Sequence, residues 1–196
     1  LFDPKGNEFG RYKDSKHLLH KPIADIDEAI EKLEELVEIS EERCREFLNY
    51  STRDSVSIKD TKAFNEMVDA GMINAEKMPY IVVVIDELAD LMANERERAE
   101  DAIKRLSMKS RASGIRLILS TQTPRREVLT GAIKANVQAM LSLMVSNIRE
   151  SYTMIGETGA EKLKPHGDFI LKTDDGTQRG QAYYIDDSKI QSIIEQ

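Results

Sequence analysis

Residues 81–85 read Ile-Val-Val-Val-Ile, five β-branched residues in succession, and the run ends on two adjacent carboxylates, Asp86 and Glu87. Such a run predicts a strand buried on both faces, as in a parallel sheet covered by helices. Ligands of open α/β sheets bind at the carboxyl ends of the strands, which is where Asp86 and Glu87 stand. One carboxylate is then placed to hold Mg²⁺ and the next to polarise an attacking water, the form of a Walker B element. The same residues also suit a strand followed by an acidic helix start, because carboxylates favour helix N-termini.

A chain of 196 residues holds one full core, and no break in it argues for two domains. Apolar residues make up 40% and charged residues 32%, the balance of a soluble globular protein. No apolar stretch reaches the length of a membrane span, so no membrane contact is expected from this segment. Cys44 is single, which excludes a disulfide framework or a cysteine metal cluster within the chain and fits a reducing, cytoplasmic setting. Leu1-Phe2-Asp3-Pro4 reads as the tail of a strand already in progress, which suggests a piece of a longer protein, itself free to be membrane-tethered.

The net charge of −7 is unevenly spread. Residues 25–46 hold ten carboxylates against three bases, whereas residues 103–134 hold eight bases against Glu127 alone. A locally basic segment in an acidic chain can bind phosphate, since such contacts follow the local field.

Apolar residues at steps of three and four from Ile26 to Leu48 predict an amphipathic helix with an acidic outer face, N-capped by Asp25 with Glu28 three residues on. Residues 49–79 read as a variable connection with one short helix over 60–70. A strand over 80–85 and a helix over 95–113 follow, the helix stopped by Gly114. A second strand covers 115–120, a short helix 127–135, a third strand 137–145 and another helix 150–163. A hairpin of 168–171 with 181–185 turns at Asp174-Asp175-Gly176, and a terminal helix spans 187–195. Strands alternating with helices predict a parallel α/β sheet.

A nucleotide-hydrolysing site also needs a sensor of the γ-phosphate and a phosphate cradle. Gln122, at the end of the second strand, is placed as the sensor; taken alone it is an ordinary polar loop residue. The cradle is missing. A P-loop requires Gly-Lys-Ser/Thr, and none of the ten glycines precedes a lysine. Either the loop lies upstream of Leu1 or the protein is not a nucleotidase.

The run from Pro79 to Met92 closely resembles the Walker B block of the FtsK/SpoIIIE DNA translocases, as do Ser110-Arg111-Ala112-Ser113-Gly114-Ile115 and Ser120-Thr121-Gln122. Thr130 to Asn136, Gly159 to Leu163 and Gly167-Asp168 resemble later blocks of that family. Asp3-Pro4-Lys5 and His17-Leu18-Leu19 resemble elements that follow its P-loop helix, and the matches keep the family's order.

The resemblance implies a RecA-like P-loop NTPase core, a mainly parallel sheet flanked by helices with a C-terminal β-hairpin. Residues 1–196 would be a single partial motor domain of an ATPase that lacks the Walker A segment and is inactive alone. ATP and Mg²⁺ are the implied cofactors, and double-stranded DNA the implied partner of a homo-hexamer of the full-length protein. Asp86 would coordinate Mg²⁺, Glu87 activate water and Gln122 sense the γ-phosphate. Arg111 matches the arginine that the family supplies to the neighbouring subunit's ATP. A guanidinium at a helix end can stabilise transition-state charge in this way, although the helix dipole alone also favours an arginine there.

The DNA contacts depart from the family pattern. Thr123 replaces an arginine of the Thr-Gln-Arg-Pro stretch, with Arg125 and Arg126 immediately after it. Lys134 keeps its matching place, and Arg149 is the base retained in the Ser146 to Tyr152 stretch. His17 and His166 carry no motif and read as structural. The leading function is an ATP-driven DNA translocase for chromosome segregation or mobile-element transfer. A secretion or conjugative coupling ATPase of the same fold is the alternative, and a non-catalytic assembly module the rival. The set Asp86, Glu87, Gln122 and Arg111 speaks against that rival, which has no use for all four.

Overall fold

The computed structural model describes residues 1–51 and 57–194. Contacts divide the chain into two compact units, the first made of residues 1–10 and 22–120, the second of 11–21 and 121–196.

The first unit begins with a long helix, α1 (Ile26–Tyr50), N-capped by Asp25, whose Oδ1 accepts the Glu28 N–H at 2.9 Å as the sequence predicts. Its apolar stripe, with Ala29, Ile30, Leu33 and Val37 each at most 3% exposed, faces the core. Next, α2 (Thr61–Asp69) is capped by Asp60. Phe64 of α2 lies 5.7 Å from the Phe47 ring and 5.8 Å from the Tyr50 ring, which fastens it to the end of α1. Asn65 bonds both the N–H and the carbonyl of Met78 at 2.8 Å and so fixes the chain entering the sheet.

The strand β1 (Ile81–Ile85) leads into α3 (Leu88–Asn94) and α4 (Arg96–Ser113), and then into β2 (Ile115–Leu119). β1 and β2 pair in parallel, Ile81 opposite Ile115 and Ile85 opposite Leu119. Phe2 adds parallel bridges to Ile85 on one side and Ile23 on the other, so Leu1-Phe2-Asp3 does continue the sheet. The expectation of burial on both faces is corrected. Val83 and Ile85 are buried under the helices, but Val82 is 55% and Ile118 53% exposed. The helices of this unit cover one face, and a run of β-branched residues cannot show which of its faces will be covered. The short helix α3, unassigned in the sequence reading, starts at the carboxylates themselves, with Glu87 as its N-cap.

In the second unit the predicted 127–135 helix is only α5 (Gly131–Lys134), capped by Thr130. The third strand is shorter than expected, β3 (Ala139–Ser142). The helix expected over 150–163 is α6 (Ile148–Ile155), ended by Gly156 at φ 73, with a separate 3₁₀ turn at Ala160–Lys162. β4 (Asp168–Thr173) and β5 (Gly176–Gln181) form the hairpin around Asp174-Asp175. β3 pairs antiparallel with β4, so it joins the hairpin rather than the parallel sheet. The second hairpin strand is the polar 176–181, not 181–185; Tyr183 and Tyr184 are 96% and 92% exposed. Ile155, Ala160 and Leu163 form the buried centre of this unit, with Met140 and Ile170 against them. The terminal helix α7 spans Asp187–Ile194, and residue 195, the last of the predicted span, lies outside the described residues. Among the described residues no helix is long and apolar enough to cross a membrane.

Candidate functional site

The carboxylate pair stands at the carboxyl end of β1, held from both sides. The Asp86 N–H donates to the Phe2 carbonyl at 3.0 Å, and the Leu88 N–H to the Ser120 carbonyl at 2.8 Å. Phe2 and Ile85 are bridge partners in neighbouring parallel strands, so Asp3 and Asp86 occupy the next pair of positions. Asp3 is 2% exposed; its Oδ2 accepts the N–H groups of Glu8 and Phe9, both at 2.8 Å, while its Oδ1 is buried without a hydrogen-bond partner. Burial pushes the Asp3 carboxyl up, but the N–H groups of Phe9, Glu8, Asn7 and Gly6 outweigh it and leave the group below its ordinary value.

Asp86 is half-buried and responds in the opposite direction. Burial raises its pKa, and the Asp3 and Glu8 carboxylates raise it further; Lys5 opposes them, and Glu87 adds a smaller push upward. A carboxylate crowded by negative charge gains from a cation, because the added positive charge relieves that repulsion. Glu87 is 3% exposed. Its Oε1 accepts the Ala89 N–H at 3.0 Å, and its Oε2 lies 4.0 Å from the Lys5 ammonium. The acidic helix start is thus present in the geometry, since the second carboxylate, at the end of the strand signal, caps α3.

No set of three or more His, Cys, Asp or Glu residues that could enclose a metal occurs among the described residues. Mg²⁺ does not require one. It binds through one or two carboxylates and completes its shell with water and phosphate oxygens. Asp86, beside an Asp3 whose Oδ1 is unpartnered, fits such an ion. Asp3 and Lys5 are missing from the site predicted by residue pattern, because only strand pairing brings them to Asp86; the one signal for them was the resemblance of the Asp3-Pro4-Lys5 segment.

Arg111 is exposed on the last turn of α4, and among the described residues its side chain makes no hydrogen bond or ion pair. The structure does not bring it to the carboxylates. α4 ends beside Ile115, opposite Ile81, at the far end of the β1–β2 pair from Asp86. One strand length, roughly 15 Å, separates the two ends. Gln122 is exposed and opens the second unit, two residues beyond Ser120.

The basic stretch is also sorted by the structure. Arg105 and Lys109 both reach Glu41 of α1, at 2.8 and 3.2 Å, and Arg116 bonds the Ser110 carbonyl. These bases serve the fold. Within the second unit, Arg125, Arg126 and Arg149 line one open groove of about 1110 Å³. Lys134 lies beside it, its ammonium on the carbonyl of the groove residue Thr153 at 2.7 Å. Burial lowers the Lys134 pKa, and the charges of Arg126 and Lys172 lower it further. Glu127, Glu150 and Glu161 also line the groove; Glu127 is exposed, and the other two are engaged locally. Glu150 accepts the Ser146 N–H and the Asn147 side chain at the start of α6, and Glu161 accepts the Gly159 N–H. Among the described residues none of the three arginines makes an ion pair or a side-chain hydrogen bond, so the groove presents free guanidinium groups. Three of the four residues expected to contact DNA thus share one groove, and the fourth, Lys134, is held against the Thr153 carbonyl beside it.

Residues 1–126 match the model of the FtsK/SpoIIIE family. The chain is 38% identical over 200 residues to the DNA translocase FtsK of Leptospira interrogans, which covers all of the chain and 20% of that protein; it spans about a fifth of this relative's length. The pCW3 conjugation coupling protein TcpA, solved as a monomer with ATPγS, superposes with a TM-score of 0.83 at 28% identity, over 99% of this chain and 55% of that one. ATPases 2 and 3 of EssC from Geobacillus thermodenitrificans share the fold, with a TM-score of 0.67 at 20% identity over 94% of this chain and 33% of that one. The fold is that of these P-loop ATPases.

Proposed function

The chain belongs to the FtsK/SpoIIIE family, and we propose that it is part of the motor domain of an ATP-driven double-stranded DNA translocase working as a homo-hexamer. The observation that carries this reading is the end of β1, where the half-buried Asp86 crowded by carboxylates is followed by the buried, helix-capping Glu87. In it, Asp86 holds Mg²⁺, Glu87 orients and deprotonates the attacking water, and Gln122 senses the γ-phosphate. The bound ion supplies charge neutralisation for the phosphoryl group. Arg111, a strand length from its own carboxylates, serves the ATP of a neighbouring copy. Arg125, Arg126, Lys134 and Arg149 hold DNA phosphates, which a motor that moves along any sequence contacts in preference to base edges.

The biological setting proposed is chromosome partition at cell division, in a cytoplasmic motor domain. The likeness to a conjugation coupling protein favours mobile-element transfer as a second reading. Turnover of ATP by the full-length protein, with duplex DNA, single-stranded DNA or no DNA added, tests both. Stimulation by duplex supports the translocase, stimulation by single strands alone supports a coupling ATPase, and no stimulation by either removes both.

A further inference from the structure

We propose that Arg43 and Thr61 are positioning residues that lock the last turn of α4 and thereby fix where Arg111 points; this rests on the reading of Arg111 as the arginine donated to a neighbouring copy. The final carbonyls of a helix have no partner within it. At the end of α4 two of them are taken by side chains from two other helices. The Thr61 hydroxyl of α2 donates to the Ala112 carbonyl at 3.1 Å, and the Arg43 guanidinium of α1 donates to the Ser113 carbonyl at 2.8 Å. Thr61 is 1% and Arg43 8% exposed.

A buried guanidinium is costly unless its hydrogen bonds and surroundings compensate it. Among the described residues Arg43 makes no ion pair, and it rests instead on a helix C-terminus, where the dipole favours a cation. The next residue closes the turn. Gly114 adopts φ 72, and a Cβ there would lie 2.7 Å from the Thr61 hydroxyl. Ala112, Ser113 and Gly114 are therefore fixed one after another, directly beyond Arg111, whose own side chain makes no hydrogen bond or ion pair among the described residues.

That pattern, a rigid base under an unattached cation, suits a group that must reach across a boundary with set geometry. Displacement by about 1 Å can cost on the order of a hundredfold in rate. A loose helix end would leave Arg111 in place chemically and ineffective in geometry.

The test uses the full-length protein and four variants, Arg111→Ala, Thr61→Val, Thr61→Ser and Arg43→Lys, each alone and mixed with Glu87→Gln subunits. Glu87→Gln subunits cannot hydrolyse ATP themselves but present an intact α4 end to their neighbours. Thr61→Val and Arg43→Lys are expected to lower DNA-stimulated kcat by about tenfold to a hundredfold, with KM for ATP within about twofold of wild type. Thr61→Ser, which keeps the hydroxyl, retains turnover. Mixing with Glu87→Gln restores turnover to Thr61→Val, Arg43→Lys and Arg111→Ala alike, which a fold defect would not allow. Wild-type kcat in both Thr61→Val and Arg43→Lys overturns the inference. So does a loss that mixing fails to restore while Arg111→Ala is restored. Wild-type turnover in Arg111→Ala instead removes the reading beneath it, and the inference with it.

Discussion

Asp3 and Asp86 are neighbours across two parallel strands, yet their carboxyl groups are driven in opposite directions, Asp3 down and Asp86 up. The difference lies in what each accepts. The backbone N–H groups of Glu8 and Phe9 converge on Asp3, and Asp86 meets the charges of its neighbours instead. The first residue organises the loop after its strand, and the second is left half-buried among negative charges.

Asp3→Ala is predicted to be strongly destabilising, because two N–H groups lose a buried charged acceptor. The expected loss is about 2–4 kcal/mol, read as a lower urea midpoint for unfolding of the first unit. An unchanged midpoint would mean that water replaces the carboxylate without cost.

Gly114→Ala should cost about 1–3 kcal/mol through the left-handed backbone alone, and more through contact with Thr61. Thermal unfolding measures the sum. Combining it with Thr61→Ser, which removes the methyl but keeps the close hydroxyl, should recover only part of the loss.

Acid sensitivity in the second unit is assigned to Asp168. The Arg179 guanidinium, at 2.9 and 2.6 Å, and the Lys164 N–H hold its carboxyl at about 2, below the ordinary 3.8. A lowered folded-state pKa gives stability that is complete above the unfolded value and lost as pH falls through the folded one. The Asp168 contribution should therefore fade between about pH 4 and pH 2. Asp168→Asn should show no such step when unfolding midpoints are compared across that window, and an identical acid profile in both proteins would contradict the assignment.

Duplex DNA binding should depend on the groove arginines. Each alanine at Arg125, Arg126 or Arg149 is predicted to weaken binding and to flatten the plot of log affinity against log salt by roughly 0.9 per lost phosphate contact. Fluorescence anisotropy with unrelated duplexes should give the same loss for each, since phosphate contacts carry no sequence information. Loss confined to one sequence would indicate base readout.

Local signals were legible in the sequence and long-range ones were not. Asp25, Gly114 and the Ile81–Ile85 run act on their own neighbours: Asp25 caps α1, Gly114 ends α4 and the run forms a strand. The covered face of β1 depends on helices far along the chain, so nothing local to Val82 shows that it is exposed. β5 is Gly-Thr-Gln-Arg-Gly-Gln, an exposed edge held by backbone bonds to β4, with no apolar alternation to announce it. The apolar Tyr183-Tyr184-Ile185 beside it carries the stronger strand signal, yet lies outside the hairpin. At the site, Asp86 and Glu87 were readable because strand and carboxylates are contiguous. Asp3 and Lys5 arrive through strand pairing, and the closure of the Arg125–Arg149 groove depends on the packing of α6 against its own unit.

If the end of β1 is the hydrolytic half of a DNA-driven motor, Glu87→Gln in the full-length protein removes its base. Duplex-stimulated ATP turnover should fall by at least about a hundredfold, the scale of a lost general base, while ATP affinity measured by fluorescent-nucleotide binding stays within about twofold. Turnover equal to wild type, with the protein folded and nucleotide bound, would contradict it.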